Sequence, residues 1–215
     1  MISLPLVYTI LALVAYTSSF WYLFIHLMSK RTPNIWCYGL IVVLGLALHG
    51  VVLYQDMVTP IGVNYDVFNL ISFTSGLMLA LSLVLSLIRP ILPLNLIGTP
   101  VAAIGLILGY AFSQANQVIE QHSVGLDFHI ILSLSAYAVL LMATIQAVLL
   151  WFQDRELKKK QKRRIWVNLL PPFQVMESLL FDLIITGFGL LTVALLFGNT
   201  LLSHIPKIFK HSDHK

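Results

Sequence analysis

The feature that most constrains this chain is a recurring run of apolar residues long enough to cross a bilayer. The clearest is residues 127–152, DFHIILSLSAYAVLLMATIQAVLLWF, where a spanning helix needs ~20. In hydrocarbon every backbone N–H and C=O must be satisfied within the segment, which favours helix over open strand. Comparable runs cover residues 4–28, 36–54, 67–88, 95–112 and 175–197. Six runs joined by short connections predict an all-α, polytopic transmembrane bundle forming one domain over 1–215. The first run is too long for a signal peptide and has no Lys or Arg before Lys30, so it reads as a retained span.

Composition agrees. Hydrophobic residues make up 58% of the chain and charged ones 10%, against roughly 25% charged in soluble domains. The net charge of +4 does not indicate nucleic-acid binding, because the basic residues cluster beside spans. Connection one holds Lys30 and Arg31, and connection three holds Arg89. Connection five holds Arg155, Lys158, Lys159, Lys160, Lys162, Arg163 and Arg164. Connections two and four carry only acidic charge: Asp56, Asp66, Glu120 and Asp127. Basic connections face the cytoplasm, which puts the N-terminus outside. Lys207, Lys210 and Lys215 in the tail run against this rule. Trp21, Trp36, Trp151 and Trp166 all fall near the cytoplasmic boundary or in connection five, as interfacial anchors do.

Within the spans, polar and small residues share faces. At ~3.6 residues per turn, His129, Ser133, Ala136, Tyr137, Ala143, Thr144 and Ala147 form one broad face, expected to pack against neighbouring helices. Asn69, Ser72, Ser75, Gly76, Ser82 and Ser86 lie on roughly one side of span three. Gly105 and Gly109 in span four are spaced for close helix approach. Glu177 and Asp182 sit early in span six near the connection-five cations, where ion pairing or snorkelling explains them better than a proton relay. Connection five either contacts anionic headgroups or docks an acidic partner. The lone Cys37 excludes an internal disulfide and reads as a packing residue.

Two of the histidines differ from the rest. His26 is interfacial, and His122, His204, His211 and His214 fall in an outer loop or the tail. His49 lies in the outer third of span two and His129 at the outer start of span five. Facing histidines in a helical bundle can hold a haem iron, but two histidines at matched depth more often hydrogen-bond to neighbouring helices. Coordination across one iron at about 2 Å per bond would put the two nitrogens roughly 4 Å apart. No Ser/His/Asp set, phosphate loop or closely spaced metal-ligand pair is visible, so no enzymatic reaction is expected.

The segments FHIILSLSAYAVLLMATIQAVLLWFQDRELKKK and LLPPFQVMESLLFDLIITGFGLLTVALLFG resemble the cytochrome c assembly family, the CcsA, ResC and CcmC group of haem-handling proteins. Within it the likeness is to the YpjD and HemX branch. His129, Leu132, Ser133, Ala136, Tyr137 and Ala138 match the start of one span of that branch. Pro171, Pro172, Glu177, Leu179, Leu180, Phe181, Gly187 and Phe188 match the next, and ALHGVVLY puts His49 in the matching place of span two. The resemblance implies haem as cofactor, with His129 and His49 as its binding and iron-ligating residues. It also implies a multi-pass protein of the bacterial inner membrane, with other cytochrome c maturation or haem biosynthesis proteins as partners. Two departures stand out. No tryptophan faces outward, unlike the tryptophan-rich loop with which the assembly proteins proper present haem. Relatives in the branch continue into a His-Lys motif and about two more spans, whereas here Asp213, His214 and Lys215 close the sequence, as in a C-terminally truncated form. Two other readings follow from the same residues. One is a regulator of haem biosynthesis acting through connection five. The other is a transporter subunit, which the lack of broken helices and midplane charge disfavours.

Overall fold

The computed structural model describes residues 4–60, 62–113, 118–119, 124–158 and 170–204. Six helices dominate it: α1 (Leu4–Met28), α2 (Ile35–Met57), α3 (Val67–Ile88), α4 (Asn95–Phe112), α5 (Val124–Leu157) and α6 (Phe173–His204). All six are long and apolar enough to cross a membrane. The chain is thus an all-α polytopic bundle, as the apolar runs predict. Local chemistry sets several boundaries. The Asn34 side chain accepts from the backbone N–H of Trp36 and Cys37, and the Asp66 carboxylate accepts from Phe68, so both cap helix starts. α5, at 34 residues, is about 51 Å long against a hydrocarbon core of ~30 Å. It therefore extends beyond both ends of the predicted 127–152 run, which followed apolarity rather than helix length.

Helices α1 to α4 form a ring: α1 packs on α2 and α4, and α3 packs on α2 and α4. Tyr16, Leu23, Tyr38, Val42, Leu79 and Leu106 fill its centre. α5 and α6 form a long antiparallel hairpin that joins the ring through α3. A second core of Ile91, Val139, Ala143, Leu179 and Leu183 seals that junction. The side chains left outside, such as Leu40, Ile88, Ile185 and Leu195, are large and apolar, as a lipid-facing surface requires.

One element was not foreseen. Three short strands, β1 (Val58–Thr59), β2 (Gly62–Asn64) and β3 (Val118–Ile119), pair antiparallel in the order β1-β2-β3. Val63 stands opposite Ile119 and Asn64 opposite Val118. Connections two and four are therefore stitched together at one end of the bundle, here called the strand end. The helix ends that lead into connections one, three and five lie at the other, the basic end.

The small and polar stripe of α3 points inward as expected: Asn69, Ser72, Ser75, Ser82 and Ser86 are all buried. α4 lies close against it. A Cβ on Gly109 would fall 2.8 Å from Ser72 Cβ, closer than carbon atoms pack. The corresponding expectation for α5 needs correction. Ala136 and Ala143 are buried, but Tyr137, Thr144 and Ala147 are exposed. The packed stripe of α5 runs instead through Ala136, Val139, Ala143 and Gln146. Thr144 needs no neighbour, because its hydroxyl donates to the Leu140 carbonyl one turn back. A polar residue of this kind can face lipid, and so misdirects a reading based on polarity.

Candidate functional site

His49 is the most deeply placed histidine of the described residues, at 1% exposure. Its Nδ1 lies 3.0 Å from Tyr16 Oη on α1, and its Nε2 lies 2.8 Å from Ser72 Oγ on α3. Each partner is a hydroxyl that donates or accepts, so either neutral tautomer of the imidazole satisfies both bonds. Glycines make room for this cross-link. A Cβ on Gly45 would meet the Tyr16 ring at 2.7 Å, and one on Gly76 would meet His49 Cε1 at 3.3 Å. The result ties α1, α2 and α3 together inside the ring.

His129 sits differently. It lies in the second turn of α5 and rests against α6. A Cβ on Gly198 would fall 2.7 Å from His129 Cε1 and 3.1 Å from Nδ1. Glycine there lets the imidazole lie against the α6 backbone. Its Nδ1 is buried and has no hydrogen-bond partner among the described residues. A buried polar atom left unpaired is costly, which makes this nitrogen a candidate for a further partner. The helix end that carries it is anchored. Tyr65 Oη, just after β2, donates to Asp127 Oδ1 at 2.6 Å. Burial pushes the Tyr65 phenol above its ordinary range, and the hydrogen bond and charge of Asp127 push it further. The phenol therefore stays protonated and donating across the neutral range.

The two histidines share no hydrogen-bond partner among the described residues. His49 belongs to the four-helix ring, His129 to the α5–α6 hairpin, and α3 packs against both α2 and α5. His129 keeps a buried nitrogen without a partner among the described residues. His49 as described has both nitrogens engaged.

Several of the other polar residues singled out by sequence have structural partners. Asp182 pairs with Arg89 of connection three, whose guanidinium also donates to Ser178 Oγ at 3.1 Å. The ion pairing is as expected, with a connection-three cation as the partner. Glu177 is exposed. His26 Nδ1 donates to the Tyr22 carbonyl at 2.8 Å within its own helix. Trp21, Trp36 and Trp151 are exposed, and Arg155 lies over the Trp151 ring at 5.6 Å. Of connection five, Lys158 pairs with Asp154 at 2.6 Å. Lys159, Lys160, Lys162, Arg163, Arg164 and Trp166 lie outside the described residues, as do His122, His211, His214 and the side chain of His204.

Four participants escaped the sequence reading: Tyr16, Gly45, Tyr65 and Gly198. Tyr16 had a signal. It sits among Ala12, Ala15 and Ser19, all buried, a small-residue stripe that marks an inward face. Gly45, Tyr65 and Gly198 had none, since each matters only through a partner far away in sequence.

Residues 4–202 match the family described as Cytochrome C assembly protein. No curated protein and no solved structure matches the sequence.

Proposed function

This chain belongs to the cytochrome c assembly protein family, and on that premise we propose that it binds and passes on haem, which His129 would hold through its imidazole. The observation that carries the reading is the His129 imidazole, buried at Nδ1 without a partner among the described residues and seated on Gly198. Neutral imidazole is a good ligand for haem iron, and coordination would supply the partner this side chain lacks. Bound haem would contribute the iron's redox and ligand-exchange chemistry. The chain's own contribution is to fix the imidazole. The Tyr65–Asp127 hydrogen bond holds the start of α5, and Gly198 lets α6 support the ring.

His49 is the second ligand in the bis-histidine form of this proposal. To take that role it must exchange Tyr16 or Ser72 for iron. We therefore assign the first ligand to His129, and to His49 the cross-linking of the ring while iron is absent. We further place the chain with the YpjD and HemX branch, in the bacterial inner membrane, as a non-enzymatic carrier whose partners are other maturation or haem biosynthesis proteins. The likeness running from His129 to Phe188 supports the branch. The absence of an outward tryptophan in the sequence argues against direct presentation of haem to an apocytochrome. The alternative, a regulator working through the basic loop, needs no haem at all. A haemin titration of the detergent-purified protein separates the two. A saturable Soret band at about one haem per chain is expected, and no band beyond that of free haemin in detergent would leave the regulator.

A further inference from the structure

A cleft of about 330 Å³ opens between α3, α5 and α6 toward the basic end. Its walls are apolar and include Val84, Leu85, Val139 and Leu183. It runs along α3 from Leu81 to Arg89, which is about 12 Å at helical rise. One leaflet of a hydrocarbon core of ~30 Å is close to that depth. Val84 is 53% exposed, so the cleft is open on the side that faces lipid.

The headgroup end of the cleft carries a charge pair. Arg89 and Asp182 form an ion pair there, with side-chain exposures of 32% and 51%, so a headgroup can reach both. Among the described residues, Asp182 and Ser178 use two of the guanidinium's five N–H groups. Donors remain for a phosphate, and the outer side of the carboxylate remains for an ammonium. An anionic headgroup would meet the Asp182 charge, whereas a zwitterion finds a complement for each of its charges.

We propose that this cleft is a binding site for a phospholipid with a zwitterionic, primary-amine headgroup of the phosphatidylethanolamine class. The phosphate accepts from Arg89, the ammonium donates to Asp182, and one acyl chain lies in the cleft. The site is separate from His129. The lipid would brace the hairpin against the ring at their junction through α3.

Competition between dioleoyl phosphatidylethanolamine and dioleoyl phosphatidylglycerol tests the site. The full chain, delipidated in a neutral detergent, is offered both in equal amounts, and bound lipid is read by native mass spectrometry. General attraction to the basic end alone would favour the anionic phosphatidylglycerol. The site requires the opposite, with phosphatidylethanolamine retained about tenfold better, the size of one charge-assisted hydrogen bond. Asp182→Asn keeps the side-chain shape, removes the charge, and should bring phosphatidylglycerol ahead. Val84→Trp leaves the ion pair intact, fills the cleft, and should abolish retention of phosphatidylethanolamine with helix content unchanged. Equal or better retention of phosphatidylglycerol by the unaltered chain, or undiminished phosphatidylethanolamine on Val84→Trp, would overturn the proposal and leave Arg89–Asp182 as a clip between α3 and α6.

Discussion

At the scale of single residues, what separates the two membrane histidines is the count of their hydrogen bonds. His49 has a hydroxyl at each nitrogen, while His129 has a buried nitrogen with none among the described residues. Removing the Ser72 hydroxyl should therefore leave one side of His49 unsatisfied. Ser72→Ala is expected to lower stability in detergent by about 0.5–2 kcal/mol, the range for a buried hydrogen bond between membrane helices. Chemical unfolding followed by circular dichroism measures it. An unchanged midpoint would mean that the Ser72 hydroxyl does not hold the imidazole. Both histidines were legible in the sequence, because an ionisable residue inside an apolar run needs a reason to be there. Their different surroundings were not legible. The partners come from α1, α3 and α6, and nothing in the run around His49 or His129 says which helices will be neighbours.

At the scale of elements, six apolar runs translate directly into six helices, since the bilayer thickness fixes the length each must reach. Helix ends were less legible. α5 begins at Val124 and ends at Leu157, because Gln153, Asp154 and Arg155 are compatible with helix outside hydrocarbon as well as with a loop. Which face packs was legible for α3, where five buried Asn and Ser residues line one side, and misleading for α5, where Thr144 satisfies itself. The three strands could not be anticipated from runs of two or three residues. Yet they report on topology, because pairing of β2 with β3 requires connections two and four to share a side. The helix ends that lead into the basic connections lie at the opposite end. A reporter fused after Gln121 should accordingly behave as external and one fused after Lys160 as cytoplasmic. The reverse pattern would invert the bundle, and two fusions on one side would contradict the strand pairing.

At the scale of the whole molecule, the chain is a four-helix ring with a two-helix hairpin docked on α3. Family membership covers both parts. The ring holds His49 as a cross-link, and the hairpin holds His129 with a nitrogen that has no partner among the described residues. That division is the centre of the functional reading, and absorption spectra of haem-loaded variants test it most directly. The purified chain and its His129→Ala and His49→Ala variants are titrated with haemin under the same conditions. With His129 as the first ligand, His129→Ala should lose the Soret and visible bands of the complex, while His49→Ala should still bind haem, with the same spectrum or with a high-spin one if iron had drawn His49 in. Full binding by His129→Ala, or loss of binding by a folded His49→Ala, would contradict it.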